Sequence, residues 1–308
     1  MLLKVKTGDH GQAQVWNKYF LKVTFTSFVC MYITKELQTK LVADVRQKKD
    51  LKFLSADFII KEAQEFVRVN KKPRDEILAG KEKPYKELIK RIRAKARKPY
   101  AIFQVSSALE ERKALLATTK LSDKTQVEII LTSHLSTKER MSIYPELLSR
   151  LEPFISTAKN IQDIGCGLNP VAYYLFSKHK KVSYTCNEFS ELECEQLNTF
   201  FSYNKLNAKA ITFSLLDTDA YDAFFKQCDV CFAFKIFDTL EHQHKYVTYE
   251  LLEAIKAKVL VASFPIVNIK GERMNRNSAI NWFEKMLGRK EKSFEAFELG
   301  GEIFYIVT

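Results

Sequence analysis

The sequence predicts an α/β protein in which a mostly parallel β-sheet, closed by a C-terminal antiparallel hairpin, follows a helical N-terminal domain. From residue 160 onward, short apolar stretches alternate with helical stretches, which is typical of a parallel sheet covered by helices on both faces. Before that residue, apolar side chains recur at helical spacing. The 308 residues are enough for two cores, because domains typically contain roughly 100–200 residues.

The chain is predicted to divide into four parts. Residues 1–30 form an extension without an assigned role; its apolar stretch Phe20–Tyr32 is interrupted by a lysine and is shorter than the ~20 residues of a membrane span. Residues 31–120 are predicted as a basic helical domain, 121–158 as a helical connector that contributes to a cofactor site, and 159–308 as the sheet domain. Neither a signal peptide nor a membrane partner is expected.

Positive charge is concentrated in the first half of the chain. Residues 1–150 contain 31 Lys and Arg against 17 Asp and Glu, whereas residues 151–308 contain 18 against 20. This asymmetry favours an RNA-binding module joined to a near-neutral module. A set of solvated helix faces is the alternative explanation.

Short helices are predicted for the N-terminal domain and the connector. Ser55 is a candidate N-cap, and Pro84 suits the first turn of a helix that runs to about Lys98. The basic face of that helix holds the candidate RNA-binding residues Lys86, Lys90, Arg91, Arg93, Lys95 and Arg97. Without a base-reading motif, these side chains are expected to grip phosphates and to recognise shape.

Three further helices are predicted before the sheet domain. One lies near Ala108–Thr118, and Ser122 is expected to cap the next. Ser136 and Glu139 have the spacing of a capping box at the start of the third, which is a structural explanation for both.

Five strands and a hairpin are predicted for the sheet domain. The strands are Asn160–Ile164, Lys181–Cys186, Ala210–Leu216, Asp229–Phe234 and Lys258–Ser263. Ser293–Leu299 and Glu302–Val307 then flank Gly300-Gly301, a turn signal of two glycines. An antiparallel hairpin that closes a parallel sheet is the arrangement of the Rossmann-like class I methyltransferase fold.

A glycine turn follows the first predicted strand. Gly165-Cys166-Gly167 leads into a helix that begins at Asn169-Pro170. Glycines let a backbone pass close to a ligand, and a helix N-terminus favours an anionic or polar group, so the segment predicts a cofactor site. By itself the pattern also fits nucleotide and nicotinamide folds.

Two acidic residues indicate an adenosyl cofactor. Glu188 lies 23 residues after Gly165, at the end of the second predicted strand, where a carboxylate accepts hydrogen bonds from ribose hydroxyls. Asp217 follows the third predicted strand, where an adenine amino group is usually met. Helix capping is the alternative explanation for both residues.

These motifs together resemble one enzyme family. The string DIGCGLNPVA, preceded by HLSTKER and followed by DVCFAFK and SFPIVNIKG, is similar to the aminoglycoside-resistance family of 16S rRNA (guanine-N7) methyltransferases, from about Tyr32 onward. The resemblance implies a cytoplasmic, monomeric enzyme that uses S-adenosyl-L-methionine to methylate N7 of a decoding-site guanine. Its substrate would be ribosomal RNA in the assembled small ribosomal subunit.

The resemblance also implies roles for single residues. Those implied to bind the cofactor are Arg140, Gly165, Cys166, Gly167, Asn169, Glu188 and Asp217. Arg140 would pair with the methionine carboxylate, Glu188 would hold the ribose and Asp217 the adenine side. The family usually has Asp in place of Glu188, which is one methylene shorter.

Two residues are implied to act near the reaction centre. Lys235 either anchors an RNA phosphate or only reaches solvent, and Phe264 either stacks on the target base or belongs to the core. Guanine N7 has a lone pair and no proton, so no general base is required. A methyltransferase of another RNA and a catalytically silent RNA-binding protein with the same fold remain as alternatives.

No metal site is predicted. Cys228 and Cys231 have the spacing of a metal or redox pair, but no second such pair accompanies them and they lie in a stretch typical of a buried strand. The six cysteines do not have the spacing of a disulfide framework, which indicates reduced thiols. His242 and His244 are predicted to be surface residues.

Overall fold

The computed structural model describes residues 33–48, 51–52, 54–100, 108–241, 245–267, 271–274 and 276–308. The predictions for residues 1–30, His242 and His244 lie outside these. The described residues separate into two compact units, with residues 33–47 and 56–94 in the first and the others in the second. This division differs from the predicted boundary at residue 120. Among the described residues, no helix combines the length and the apolar character needed to cross a membrane.

The described part of the first unit is helical, as predicted. Its helices are α1 Lys35–Arg46, α2 Ala56–Val69, α3 Lys71–Leu78 and the beginning of α4 Glu82–Tyr100. The hydroxyl of Thr34 caps α1 by accepting a hydrogen bond from the Leu37 amide at 3.2 Å. One side of each helix is buried, including Val45 of α1, Ile59 of α2 and Ile92 of α4.

Short helices precede the sheet in the second unit. They are α5 Ala108–Thr118, α6 Lys124–Thr132, α7 Leu135–Arg140 and α8 Tyr144–Ile155. The predicted bounds of α5 are confirmed. The cap of α6 is Asp123 rather than Ser122, since the Asp123 carboxylate accepts from the Gln126 amide at 3.1 Å. The predicted capping box is wrong, because α7 begins at Leu135 and Ser136 lies inside it.

A seven-stranded sheet forms the centre of the second unit, in the order β3-β2-β1-β4-β5-β7-β6. The strands are β1 Asn160–Ile164, β2 Ser183–Glu188, β3 Ala208–Thr212, β4 Cys228–Phe234, β5 Ala257–Pro265, β6 Phe294–Leu299 and β7 Glu302–Val307. β1 to β5 are parallel to one another, and β7 is antiparallel to β5 and β6. The predicted hairpin is confirmed, with Gly300 and Gly301 at φ +57° and +81°.

Helices connect the strands and cover the sheet. They are α9 Asn169–Phe176, α10 Glu191–Tyr203, α11 Tyr221–Phe224, α12 Ile236–Glu241, α13 Lys245–Ala254 and α14 Arg276–Arg289. Buried apolar residues form one cluster that includes Tyr173 and Phe232 and another that includes Phe237 and Phe264. Parallel strands place their carboxyl ends at one edge, where open α/β sheets bind ligands.

The third strand ends earlier than predicted. β3 stops at Thr212 instead of Leu216, so residues 213–216 form a loop. Cys228 and Cys231 are buried, free thiols in β4. Within the described ranges, no group of three or more His, Cys, Asp and Glu is placed to hold a metal ion.

Candidate active site

A cavity lies at the carboxyl ends of β1, β2 and β4. Its walls are the glycine turn after β1, the end of β2, the loop 213–216, the residues that follow β4 and the helix α7 with the loop before it. The predicted site residues that line it are Arg140, Gly165, Cys166, Gly167, Glu188 and Lys235. The sheet therefore brings together residues that are up to 95 positions apart in the sequence, from Arg140 to Lys235.

The glycine turn has a conformation that other residues rarely adopt. Gly165 and Gly167 have φ values of +58° and +51°. A Cβ atom on Gly167 would lie 2.8 Å from Cε1 of His134, which is closer than real Cβ contacts. Between the glycines, the amide of buried Cys166 donates to the Asn187 carbonyl at 2.9 Å and thereby fixes the turn to β2. The turn thus presents backbone, rather than side chains, to the cavity.

Glu188 is the last residue of β2 and faces the glycine turn. Its Oε1 accepts a hydrogen bond from the Gly167 amide at 3.0 Å, and its Oε2 accepts from the Phe189 amide at 2.8 Å. Burial, followed by repulsion from Glu193, raises the pKa of Glu188 to about 7. The carboxyl group therefore changes its protonation close to neutral pH.

Arg140 forms a buried ion pair with Glu302, the first residue of β7. Its Nε lies 2.8 Å from Oε1 of Glu302 and its Nη2 lies 3.1 Å from Oε2, while Ser263 donates to the same Oε2 at 2.7 Å. Burial lowers the pKa of Arg140, but attraction by Glu302 and Tyr144 outweighs it and the pKa is raised. Burial raises the pKa of Glu302, but Arg140 and Lys235 pull it below its ordinary value. Both groups are charged.

Lys235 follows β4 directly, in an unusual backbone conformation. It has φ +60°, and its amide donates to the Ser263 carbonyl at 3.0 Å. Its Nζ lies 2.6 Å from Oε2 of Glu139 and 3.3 Å from Oε1 of Glu302. A non-glycine residue with positive φ is often held so for a functional reason. The ammonium group is thus fixed at the cavity by one exposed and one buried carboxylate.

Asn169 lies behind the cavity rather than on its wall. Its Nδ2 donates to Oδ2 of Asp163 at 2.8 Å, and Tyr184 donates to the same oxygen at 2.7 Å. Asp163 itself lines the cavity, and burial raises its pKa to about 7. Asn169 therefore contributes to the cavity by fixing the carboxylate of Asp163.

Asp217 and Phe264 do not line the cavity. Because β3 ends at Thr212, the loop 213–216 occupies the wall, and Asp217 comes after it at the start of a short 3-10 helix. Phe264 is fully buried, with its ring centroid 4.8 Å from that of Phe283. Successive strand residues point to opposite faces, so Phe264 points away from Ser263 and the Glu302 cluster. The core interpretation of Phe264 is confirmed, and its predicted stacking on a base is wrong.

Several residues at this site were not predicted, and three of them bear directly on its chemistry. His134 lines the cavity beside Gly167, and burial together with nearby cations lowers its pKa to about 3. Asn187 also lines it; its Nδ2 donates to the Phe213 carbonyl at 3.1 Å, whereas its buried Oδ1 accepts no hydrogen bond from the described residues. Glu302 is the third. The only local signals were a polar residue just before Glu188 and a carboxylate just after the glycine pair.

The predicted RNA-binding residues of α4 differ in their surroundings. Lys90 is exposed, Lys86 is paired with Glu82 on the surface, and Arg91 lies over the Phe66 ring at 5.4 Å from its centroid. Lys95 is half-buried, and the side chain of Arg97 lies outside the described residues.

Arg93 has a structural role within the first unit. Its guanidinium donates to the Val45 carbonyl at 3.3 Å and also to the Asp44 carbonyl, in the last turn of α1. A cation at a helix C-terminus satisfies carbonyls that lack partners within the helix. Arg93 is therefore engaged by its own unit, in contrast to Lys90.

Comparison with known proteins gives a family and a fold. The family model described as "Ribosomal RNA methyltransferase (FmrO)" matches residues 80–306. The chain is 25% identical over 178 residues to a 16S rRNA (guanine(1405)-N(7))-methyltransferase of Frankia casuarinae, covering 56% of this chain and 61% of the relative. It is 26% identical over 194 residues to the enzyme of that name from Proteus mirabilis, covering 58% and 64%. The alignments thus span less than two thirds of these relatives.

Solved structures share the fold. The crystal structure of the 16S rRNA methyltransferase RmtF in complex with S-adenosyl-L-homocysteine is similar at a TM-score of 0.71, with 21% identity, 89% of this chain covered and 98% of that chain. An rRNA methylase from Escherichia coli is similar at a TM-score of 0.66, with 20% identity and coverage of 88% and 99%. The class I methyltransferase fold predicted from the sequence is confirmed.

Proposed function

This chain belongs to the FmrO family of ribosomal RNA methyltransferases, and we propose that it transfers a methyl group from S-adenosyl-L-methionine to N7 of a decoding-site guanine in small-subunit ribosomal RNA. The names of the curated relatives state that reaction for 16S rRNA, and RmtF binds S-adenosyl-L-homocysteine. The observation that supports the proposal best is the meeting of the glycine turn, Glu188, Arg140 and Lys235 in one cavity.

The residues of the cavity fit an adenosylmethionine molecule. A Cβ atom on Gly165 would collide with the side chain of Ile236 and one on Gly167 with that of His134, so only glycine lets these side chains of the cavity wall pack against the turn. The buried Oδ1 of Asn187 is an acceptor for a hydroxyl or amino group of the ligand. Phe213 and the leucines that follow it offer an apolar wall to adenine. Arg140 supplies the cation for the methionine carboxylate, with Glu302 fixing the plane of its guanidinium.

The proposed reaction requires the protein to align the two reactants and does not require it to transfer a proton. When bound, the cofactor supplies an electrophilic methyl group on a sulfonium. Guanine N7 attacks with a lone pair and releases no proton, so neither neutral His134 nor Asp163 needs to act as a base. The chain binds and orients the two reactants in line and excludes water. Glu188 would accept hydrogen bonds from the ribose, and the cavity wall would hold the adenine.

Lys235 is proposed to anchor an RNA phosphate next to the extruded guanine. Its partner Glu139 is exposed, with 45% of its side chain accessible, so a phosphate is able to take the place of that carboxylate. Extrusion of a base costs a few kcal/mol, which phosphate contacts by exposed cations such as Lys90 offset. We further propose that the substrate is the assembled small subunit and that the protein acts as a cytoplasmic monomer.

The test is transfer of a labelled methyl group from S-adenosylmethionine to purified small ribosomal subunits, naked ribosomal RNA and transfer RNA, with the modified base mapped. We expect label on N7 of one decoding-site guanine, in the assembled subunit. Label on another base or another RNA would support methyltransferase activity but would overturn the proposed target. Cofactor binding without transfer to any RNA would favour a catalytically silent protein.

A substitution at Lys235 tests its role in the same assay. Lys235→Met is expected to bind S-adenosylmethionine within about threefold of the unaltered protein and to lose methyl transfer, because it removes an RNA contact and not a cofactor contact. Equal loss of cofactor binding would instead assign Lys235 to the cofactor site.

A further inference from the structure

A second buried ion pair stands outside all the motifs discussed above. Nη2 of Arg112 on α5 lies 2.8 Å from Oε1 of Glu193 on α10, and Nε of Arg112 donates to Oε1 of Gln196 at 3.2 Å. The two charged side chains are 2% and 6% exposed. The buried face of α5 includes Arg112 and Leu116. Arg112 thus occupies a position where a helix that packs against a core usually has an apolar residue.

The ion pair supports one wall of the proposed cofactor cavity. Glu193 lines that cavity together with Glu188, whereas Arg112 does not line it. Repulsion by Glu193 contributes to the raised pKa of Glu188, and the charge of Arg112 contributes to the lowered pKa of His134. Glu188 also faces Asp163 from β1 and the backbone amides of Gly167 and Phe189. Arg112 thus neutralises the charge of Glu193, a second carboxylate beside Glu188, which is the residue proposed to bind the ribose.

Removing one member of a buried ion pair leaves the other charge without compensation, which is strongly unfavourable. Without Arg112, Glu193 must take up a proton or turn toward the cavity that it lines. Either change alters the wall that Glu188 shares. Replacing both members by apolar residues of similar size removes the charge altogether and is often tolerated.

We propose that Arg112 is a positioning residue for the cofactor: it holds the Glu193 carboxylate against α5 and so keeps the ribose side of the cavity shaped and without an uncompensated second negative charge. The inference rests on the proposed function, since it concerns the affinity of the same cavity for S-adenosylmethionine. It makes α5, a helix that precedes every recognised cofactor motif in the chain, part of the cofactor site.

The experiment measures S-adenosylmethionine binding by calorimetry and methyl transfer at varied cofactor concentration. We expect Arg112→Met to raise Kd and the cofactor KM by roughly tenfold with kcat at saturating cofactor within about twofold, since a residue that supports binding alone changes KM and not kcat. The double variant Arg112→Met/Glu193→Met is expected to recover Kd to within about threefold of the unaltered protein.

Arg150→Met is the matched control. Arg150 pairs with Glu146 at 2.7 Å, but both side chains are about half exposed, so its loss is expected to leave Kd unchanged. If Arg112→Met binds the cofactor as tightly as the unaltered protein, or if the double variant is as weak as the single one, the proposal is wrong.

A second variant keeps the test decisive if Arg112→Met does not fold. Glu193→Gln keeps the shape of the side chain and removes its charge. It is expected to lower stability, because buried Arg112 loses its partner, and to move the pH midpoint of cofactor binding downward, because Glu188 loses a repelling neighbour. A role in packing alone predicts an unmoved midpoint, which would overturn the proposal. If the unaltered protein binds no S-adenosylmethionine, the proposed function itself fails. If the unaltered protein binds the cofactor and the Arg112 variant binds it equally well, only the inference about Arg112 fails.

Discussion

Two ion pairs, one in each unit of this protein, differ in their exposure to solvent. In the first unit, Arg68 pairs with Glu65 on the helix surface, with side chains 40% and 51% exposed. In the second, Arg140 and Glu302 are 3% and 2% exposed. Solvent screens an exposed pair, which contributes little to stability and can exchange partners, whereas a buried pair must stay intact. Exposed charges such as those of the first pair are therefore available to a polyanion, whereas Arg140 and Glu302 hold each other in place.

The largest expected effect comes from breaking the buried pair. Arg140→Met should lower the free energy of unfolding by about 3–5 kcal/mol, because buried Glu302 loses its bidentate partner and keeps only the more distant Lys235, and should abolish S-adenosylmethionine binding. Urea denaturation and calorimetry measure the two effects. Arg140→Met/Glu302→Met should regain much of the stability but none of the binding. Recovered binding in the double variant would contradict the role assigned to Arg140.

A substitution in the glycine turn should have an intermediate effect. Gly167→Ala forces a Cβ atom into a left-handed conformation and against His134, and should cost about 1–3 kcal/mol of stability as well as cofactor affinity. Gly288→Ala is the control: it lies in α14 with nothing within 4 Å of the added atom, so it should stabilise the protein by about 0.5–1 kcal/mol. Thermal and urea denaturation compare them, and equal effects would refute the argument from the turn.

Titration of Glu188 should give a smaller and pH-dependent effect. Its pKa is raised to about 7, so acidification through that value protonates the carboxylate that should accept from the ribose. Cofactor affinity is therefore expected to be full above pH 8 and to fall as pH drops below 7, by up to about tenfold per pH unit, or 1.4 kcal/mol. Calorimetry from pH 6 to 8.5 measures this. Glu188→Gln should bind weakly and with a flatter profile; an identical slope would assign the titration to another group, such as Asp163.

The smallest effect on stability is expected in the first unit. Lys90→Ala/Arg91→Ala should change the free energy of unfolding by less than about 0.5 kcal/mol. Small-subunit binding should weaken, and the slope of log affinity against log salt should fall by roughly 2, since two phosphate contacts are lost. Lys285→Ala/Arg289→Ala on α14 removes the same charge from exposed positions and should leave the slope unchanged. Equal slopes for both variants would mean that the cations of α4 do not contact RNA.

Local patterns in the sequence predicted part of this architecture. β1 and β7 match their predicted bounds, and each meets a glycine at one end. Gly165, Gly167 and Glu188 were predicted because turns and strand ends are determined by residues that are neighbours in the sequence. The end of β3 was placed too late, since residues 213–216 continue its apolar pattern although they form the cavity wall.

Such local patterns do not predict contacts between residues that are far apart in the sequence. Glu302 is 162 residues from Arg140, and Glu193 is 81 from Arg112. Nothing in a helical repeat distinguishes Arg93, which binds carbonyls of α1, from the exposed Lys90. The sequence does not distinguish base stacking from core packing for Phe264, because the face of the sheet on which a strand residue lies depends on the surrounding strands.

The separation of Arg140 from Glu302 also has a consequence for biosynthesis. Translation proceeds at about 5–20 residues per second, so roughly 10–30 s pass between incorporation of Arg140 and incorporation of its partner 162 residues later. During that interval the guanidinium must remain hydrated, and the wall of the cavity that depends on it stays open. A nascent chain therefore completes this wall of the cavity only after β7 has been synthesised and has left the ribosome exit tunnel.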